Sequence, residues 1–306
     1  MAKVIVGIHG LANKPEPEKL KGWWEASIRE GLKVNEKIAS ADFEFQMVHW
    51  ADFLYMHALH HNKNFSFDKL YNDEPYEPAK HGALKRYEDG FLDKFRAGAF
   101  DVIGDTADSL KVHLGMDSFA DFLIGRLLKD LDFYYANHEI ENREGSLQPT
   151  QTVLRQELLN CLLPLKGESI MLIAHSMGTI IAYDTLSDLA EREPDYELSH
   201  FVTIGSPLGL PHVKAKIIHE RGDEKVRTPK VVKRSWINFA DKKDPVAADV
   251  YLKGDYASND VGVEVKDDLV ANDYMAPEKE KRNHHKSYGY LRTPEMSAHI
   301  ASFLGD

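Results

Sequence analysis

The stretch Ser169-Ile170-Met171-Leu172-Ile173-Ala174-His175-Ser176-Met177-Gly178-Thr179-Ile180-Ile181-Ala182-Tyr183 constrains this chain more than any other. An apolar run stops at a serine flanked by small residues, and a second apolar stretch starts at once. The pattern predicts a buried strand, a sharp turn with Ser176 at its tip, and a helix that begins immediately. Strand and helix backbones crowd together at such a corner, so little room is left two residues to either side of the serine; Ala174 and Gly178 supply it. The helix then points its first free N–H groups back at the turn, where negative charge is stabilised. A small-x-Ser-x-small pentapeptide alone is common in ordinary loops. Its strand-before, helix-after context makes Ser176 a candidate nucleophile, and the rest of the chain must supply a base, an acid and an oxyanion hole.

The 306 residues suffice for one large α/β domain or two ordinary ones, and 43% hydrophobic with 28% charged residues reads as globular and soluble. No apolar run approaches the ~20 residues of a membrane span, so no stable membrane insertion is expected. The start of the chain offers too few apolar residues before His9 for a signal-peptide core. A single cysteine, Cys161, excludes an internal disulfide and fits a reducing compartment, so a cytoplasmic location is expected. Its neighbours Leu158, Leu159, Leu162 and Leu163 predict a buried structural thiol. The formal charge of −11 argues against nucleic acid or anionic membrane as the main partner.

Val4-Ile5-Val6-Gly7-Ile8 reads as a buried parallel strand opening onto His9-Gly10-Leu11, where a glycine lets a backbone N–H face a ligand without a Cβ in the way. Beyond Pro15 and Pro17, Leu20, Trp23, Trp24, Ile28 and Leu32 keep a helical spacing, with the tryptophans expected in the core. Phe43 to Trp50 predicts a second strand. Residues 51–145 then form a long, mostly helical interval, with helical periods at Leu84, Tyr87, Phe91 and Phe95 and again from Phe119 to Tyr134. Asp73 to Pro78 is expected as an exposed loop. A helical cap over the cleft is the preferred reading of this interval, against helices packed elsewhere on the sheet. His57, His60 and His61 share a helical face, yet lack a His-Glu-x-x-His pattern or a cysteine partner, so a solvated cluster is favoured over zinc and no metal is assigned. Thr152–Leu163 predicts a helix, Phe201–Ile204 a strand ending in Gly205-Ser206-Pro207, and Ser235–Ala240 the next strand. Alternating strands and helices predict a mainly parallel central sheet flanked by helices, with its ligand site at the strands' C-terminal ends.

A serine hydroxyl needs a neighbouring base, and histidine is the natural one; a carboxylate must fix its tautomer. After Ala240, Asp241 and Asp244 are both available. Asp244 is preferred because Pro245 stiffens its turn, with Asp241 left as a helix-capping acid. His200, His212 and His219 come too early, and His299 lies on an expected helix face. His284 and His285 share a loop feeding that helix, and spacing does not choose between them.

Together, His9-Gly10-Leu11, Ala174-His175-Ser176-Met177-Gly178, Gly205-Ser206-Pro207, the Asp244-Pro245-Val246 turn and the late histidine loop resemble the α/β-hydrolase superfamily, and within it the lipase-like serine esterases. Ala174 stands where the first glycine of the elbow is commoner. The late loop resembles a His-x-Ser-Tyr arrangement, which selects His285, with Ser287 and Tyr288, over His284. The resemblance spans roughly residues 1–50 and 150–306. It implies an α/β-hydrolase core of residues 1–50 and 146–306 with a helical cap, 51–145. It implies Ser176 as nucleophile, His285 as general base and acid, Asp244 as orienting carboxylate, and the backbone N–H groups of Leu11 and Met177 as the oxyanion hole, supported by His9, Gly10 and Gly178. The expected activity is a carboxylesterase without cofactor, acting on a small-molecule or lipid-like ester; a lipase, thioesterase or lipid deacylase, or a non-catalytic binding module, are the rival readings.

Overall fold

A computed structural model describes residues 2–10, 12–55, 75–79, 84–88, 118–136, 138–275 and 282–305. The chain begins with strand β1 (Lys3–Ile8), helix α1 (Pro17–Asn35), strand β2 (Glu44–Val48) and a short helix α2 (Ala51–Leu54). Helix α3 (Ser118–Tyr135) and an antiparallel hairpin of β3 (Glu139–Glu141) and β4 (Leu147–Pro149) follow. Helices and strands then alternate as α4 (Thr150–Leu162), β5 (Ser169–His175), α5 (Met177–Arg192), β6 (Leu198–Ile204), α6 (Pro211–Arg221) and β7 (Val232–Ala240). Strand β8 (Val265–Leu269) and helices α7 (Ser287–Leu291) and α8 (Pro294–Gly305) complete the chain.

Six strands form one sheet in the order β2-β1-β5-β6-β7-β8, and every neighbouring pair is parallel. A parallel sheet needs both faces covered, which is why β1 and β5 read as unbroken apolar runs. Side chains alternate between two cores. Val4, Val6, Leu172 and Ala174 pack with α3, α4, α5 and α6 on one face; Ile5, Met171 and Ile173 pack with α1, α7 and α8 on the other. The strand order reverses at β1, with β2 on one side and β5 on the other. In open parallel sheets the crevice beyond the strands' C-terminal ends at such a reversal is where ligands bind. The registers Ile8↔Ala174 and His175↔Ile204 bring the ends of β1, β5 and β6 level there.

Several elements differ from the sequence reading. The interval after Leu210 contains α6, whose only buried apolar side chains are Val213 and Ile217; so thin a stripe gave no periodic signal. Strand β8 escaped because Lys266, Asp267 and Asp268 interrupt it, and an edge strand tolerates such charge. Trp24 is fully buried, but Trp23 is half-buried against the edge of Tyr288. Leu84 and Tyr87 lie in irregular backbone rather than helix; Phe91, Phe95, His57, His60 and His61 lie outside the described residues. Residues 75–77 are not an exposed loop. Tyr76 Oη donates to Glu30 at 2.7 Å, Arg292 donates to the Glu77 carbonyl at 2.8 Å, and Tyr274 Oη donates to the Pro75 carbonyl. Cys161 is partly buried 3.2 Å from Gln46 Oε1, and burial, then Glu44, pushes its thiol up to about 11.

Within 51–145, the C-terminal half of α3 belongs to the main core: Leu127, Leu131 and Tyr134 are buried with Leu172 and Ile180. Tyr134 Oη donates to Asp184 on α5 at 2.9 Å, and Arg155 on α4 closes the network at 2.8 Å to the same carboxylate. The 145/146 division falls inside the turn of the β3–β4 hairpin. Among the described residues no helix is long and apolar enough to cross a membrane.

Candidate active site

Ser176 joins β5 to α5 in a backbone conformation with φ 54° and ψ −129°, which side chains other than glycine rarely adopt. Strain of this kind costs about 1–3 kcal/mol and persists only where the surroundings fix it. Here they do. The Ser176 N–H donates to the Ile204 carbonyl at 3.1 Å, and its own carbonyl accepts from the Thr179 N–H at 2.8 Å and from Thr179 Oγ1 at 2.7 Å. Since the Thr179 hydrogen is committed there, Ser206 Oγ is the donor in its 2.8 Å contact with Thr179 Oγ1. Glycines allow the close approach: a Cβ on Gly178 would sit 2.5 Å from the His9 carbonyl oxygen, and one on Gly10 would sit 2.5 Å from Ser176 Cβ. The serine hydroxyl does not cap α5.

It faces a histidine instead. Ser176 Oγ lies 2.9 Å from His285 Nε2, and His285 Nδ1 lies 2.9 and 2.8 Å from the two carboxylate oxygens of Asp244. Asp244 also accepts from Tyr290 Oη at 2.7 Å and from the Val246 N–H at 2.9 Å. With donors on both its oxygens Asp244 is an acceptor, so Nδ1 carries the ring hydrogen and the Nε2 lone pair faces the serine. That is the tautomer a general base requires. The chain thus brings together Ser176 from the end of β5, Asp244 from the loop after β7 and His285 from the loop before α7.

The alternatives left open by spacing are also paired, with each other. His284 Nδ1 is 3.0 Å from Asp241 Oδ2, which accepts the Asn272 N–H at 2.7 Å, while Asp241 Oδ1 accepts the Lys243 N–H at 2.8 Å. The hydrogen bond to Ser176 is made by His285.

After β1, His9 is fully buried and stacked on Trp50 at 4.7 Å. Its Nε2 accepts the Trp50 N–H at 3.0 Å, so Nδ1 donates to the Gly10 carbonyl at 2.8 Å, and the Trp50 indole N–H donates to the His9 carbonyl at 3.0 Å. Burial, then the charge of Lys14, holds this imidazole well below its usual value, so it is neutral. Ala12, at φ 68°, donates its N–H to Asp130 of α3 at 3.4 Å, and its carbonyl accepts from Lys14 Nζ at 3.1 Å. Leu11 lies outside the described residues. Met177 opens α5, where a first-turn N–H has no carbonyl within the helix to bond and the helix dipole favours negative charge.

Sequence reasoning gave no role to five neighbours. His175 donates from Nε2 to the His285 carbonyl at 2.8 Å; burial first, then His285, holds its imidazole well below the usual value. Asn283 Oδ1 accepts the His285 N–H at 3.1 Å. Asn272 Nδ2 donates to the His284 and Lys286 carbonyls at 2.8 and 2.9 Å. Gly205, at φ 54°, lets the backbone approach Asp244 and His285. Tyr290 holds Asp244. His175, Gly205, Asn283 and Tyr290 stand in stretches the motifs already marked, but no local spacing signals their contacts. Among the described residues no group of three or more His, Cys, Asp or Glu is placed to hold a metal ion. No protein-family model matches the chain, and it matches no curated protein.

Proposed function

We propose that this chain is a serine hydrolase of the α/β-hydrolase type that cleaves carboxylic esters through an acyl-enzyme, with a helical cap inserted within the interval 51–145. The continuous hydrogen-bonded series Ser176–His285–Asp244, at 2.9 and 2.8 Å, carries the reading. As His285 Nε2 takes the hydroxyl proton, Ser176 Oγ bonds to the ester carbonyl carbon and the carbonyl oxygen becomes an oxyanion. Asp244 stabilises the imidazolium. The N–H of Met177 at the head of α5 and, by the family resemblance, that of Leu11 receive the oxyanion, each worth about 3 kcal/mol in the transition state. Collapse breaks the ester C–O bond, and the alkoxide leaves as the alcohol with the proton from His285. Water, deprotonated by the same imidazole, then attacks the acyl-serine, and the carboxylic acid leaves as Ser176 recovers its proton.

The test is hydrolysis of p-nitrophenyl esters by wild type and Ser176→Ala, together with labelling of Ser176 by a fluorophosphonate. Turnover that survives the substitution in folded protein defeats the proposal. Wild type that neither turns over esters nor takes the label favours a binding module. A panel of acyl chain lengths separates a general carboxylesterase from a lipase, thioesterase or deacylase.

A further inference from the structure

Tyr290 sits in α7, fully buried, with its hydroxyl between two aspartates. Its Oη accepts the Asp241 backbone N–H at 3.1 Å and donates to Asp244 Oδ2 at 2.7 Å. The same Oδ2 is 2.8 Å from His285 Nδ1. A Cβ built on Gly205 would meet Asp244 Oδ2 at 2.8 Å, His285 Nδ1 at 3.2 Å and Tyr290 Cε2 at 3.2 Å, so the three side chains close around one point of backbone.

We propose that Tyr290 is a positioning residue for acyl transfer: its hydroxyl fixes the Asp244 carboxylate and tempers the negative charge that this carboxylate presents to His285. The inference rests on the Ser176–His285–Asp244 reading. The physical argument has two parts. A hydroxyl that accepts from a fixed backbone N–H has one hydrogen left, and here that hydrogen points at Asp244; burial, then the charges of Asp244 and Asp241, raise the phenol well above its usual value, so the donor stays protonated. A donor on a carboxylate takes up part of its charge, leaving less to hold a proton on the imidazole. Tyr290 therefore tempers the pull of Asp244 on the imidazole, while the rigid ring holds the carboxylate in register.

The other groups around His285 are the Ser176 hydroxyl, the neutral His175 ring at 4.7 Å between centroids, and the neighbouring His284–Asp241 pair. Lys286 follows it in the chain, and the charges of Lys14 and Lys286 both reach His175. Tyr290→Phe keeps the ring and removes the hydroxyl; among these groups it touches only the Asp241 backbone N–H that the hydroxyl accepts. For Y290F, kcat/KM on p-nitrophenyl acetate is expected to fall about tenfold, the scale of one hydrogen bond to a charged group, with KM little changed. The acid limb of kcat/KM is expected to move to higher pH, and NMR titration of the His285 ring in substrate-free protein moves the same way. Replacing Tyr290 alone with 3-fluorotyrosine, a stronger donor, moves both to lower pH. A His285 titration unmoved by these changes overturns the inference; if Y290F does not fold, the fluorotyrosine protein decides by the same criterion. Wild-type turnover in Ser176→Ala sinks the triad itself, whereas an inactive Ser176→Ala with unmoved Tyr290 readouts sinks the role of Tyr290 alone.

Discussion

Two adjacent histidines each face an aspartate, yet the two pairs differ in depth. The side chains of His285 and Asp244 are 7% and 0% exposed, and those of His284 and Asp241 are 21% and 6%. The deeper pair has Ser176 at its far end and Tyr290 at its near one; the shallower pair is tied to loop backbone through Asn272 and Lys243. Identical residue types one to three positions apart therefore stand in different surroundings. Burial in a low-dielectric place strengthens the interactions of the inner pair, while the outer pair secures the loops that deliver it.

The largest effects test which pair carries the chemistry. Ser176→Ala and His285→Ala are each expected to lower kcat on p-nitrophenyl esters by roughly 10⁴–10⁶-fold, against less than about tenfold for His284→Ala. A dead His284→Ala beside an active His285→Ala reverses the assignment. Next come the acids. Asp244→Asn is expected to cost ~10⁴ in kcat by presenting the wrong partner to Nδ1, whereas Asp241→Asn should leave kcat within about tenfold of wild type and lower the thermal midpoint. Gly205→Ala sharpens the contrast, because its Cβ presses on Asp244 and His285. A displacement near 1 Å costs ~10² in rate, so a kcat loss of that order is expected, with the His284 NMR titration unchanged.

Smaller still is Asn272→Ala, which frees the carbonyls on both sides of His285 and is expected to cost about 1–3 kcal/mol in urea unfolding. The least effect lies away from both pairs. Burial, then His200, lowers the His299 imidazole to about 4. Because the unfolded chain binds this proton more readily, stability is full above the ordinary histidine value near ~6.5 and is lost as pH falls through about 4. The buried His9 and His175 contribute with the same sign. His299→Leu removes one of these protonations, and thermal midpoints between pH 7 and 4 should fall less steeply than in wild type.

Much of this was legible locally. Continuous apolar runs mark β1 and β5 because a strand covered on both faces has no need to alternate. Gly178 marks a point where backbone meets backbone, and Gly10 after β1 one where backbone meets the Ser176 side chain, and each leaves a trace in a single residue's identity. Strand β8 and helix α6 left little trace, since an edge strand and a thinly buried helix are free to be polar. The choice of His285 over His284 came from likeness to a family's loop, because both side chains satisfy the same local requirements.

The amino-acid order by itself determined the corner at Ser176, the glycine loop after β1, the parallel α/β pattern, and a pool of two acids and two histidines late in the chain. Only the tertiary structure decided the pairing, by bringing the loops after β7 and before α7 together over Gly205 and setting the His285 imidazole against the serine. Local patterns record what a residue's neighbours along the backbone require. Contacts across 109 positions, as between Ser176 and His285, depend on where the sheet ends, and no stretch of chain carries that information alone.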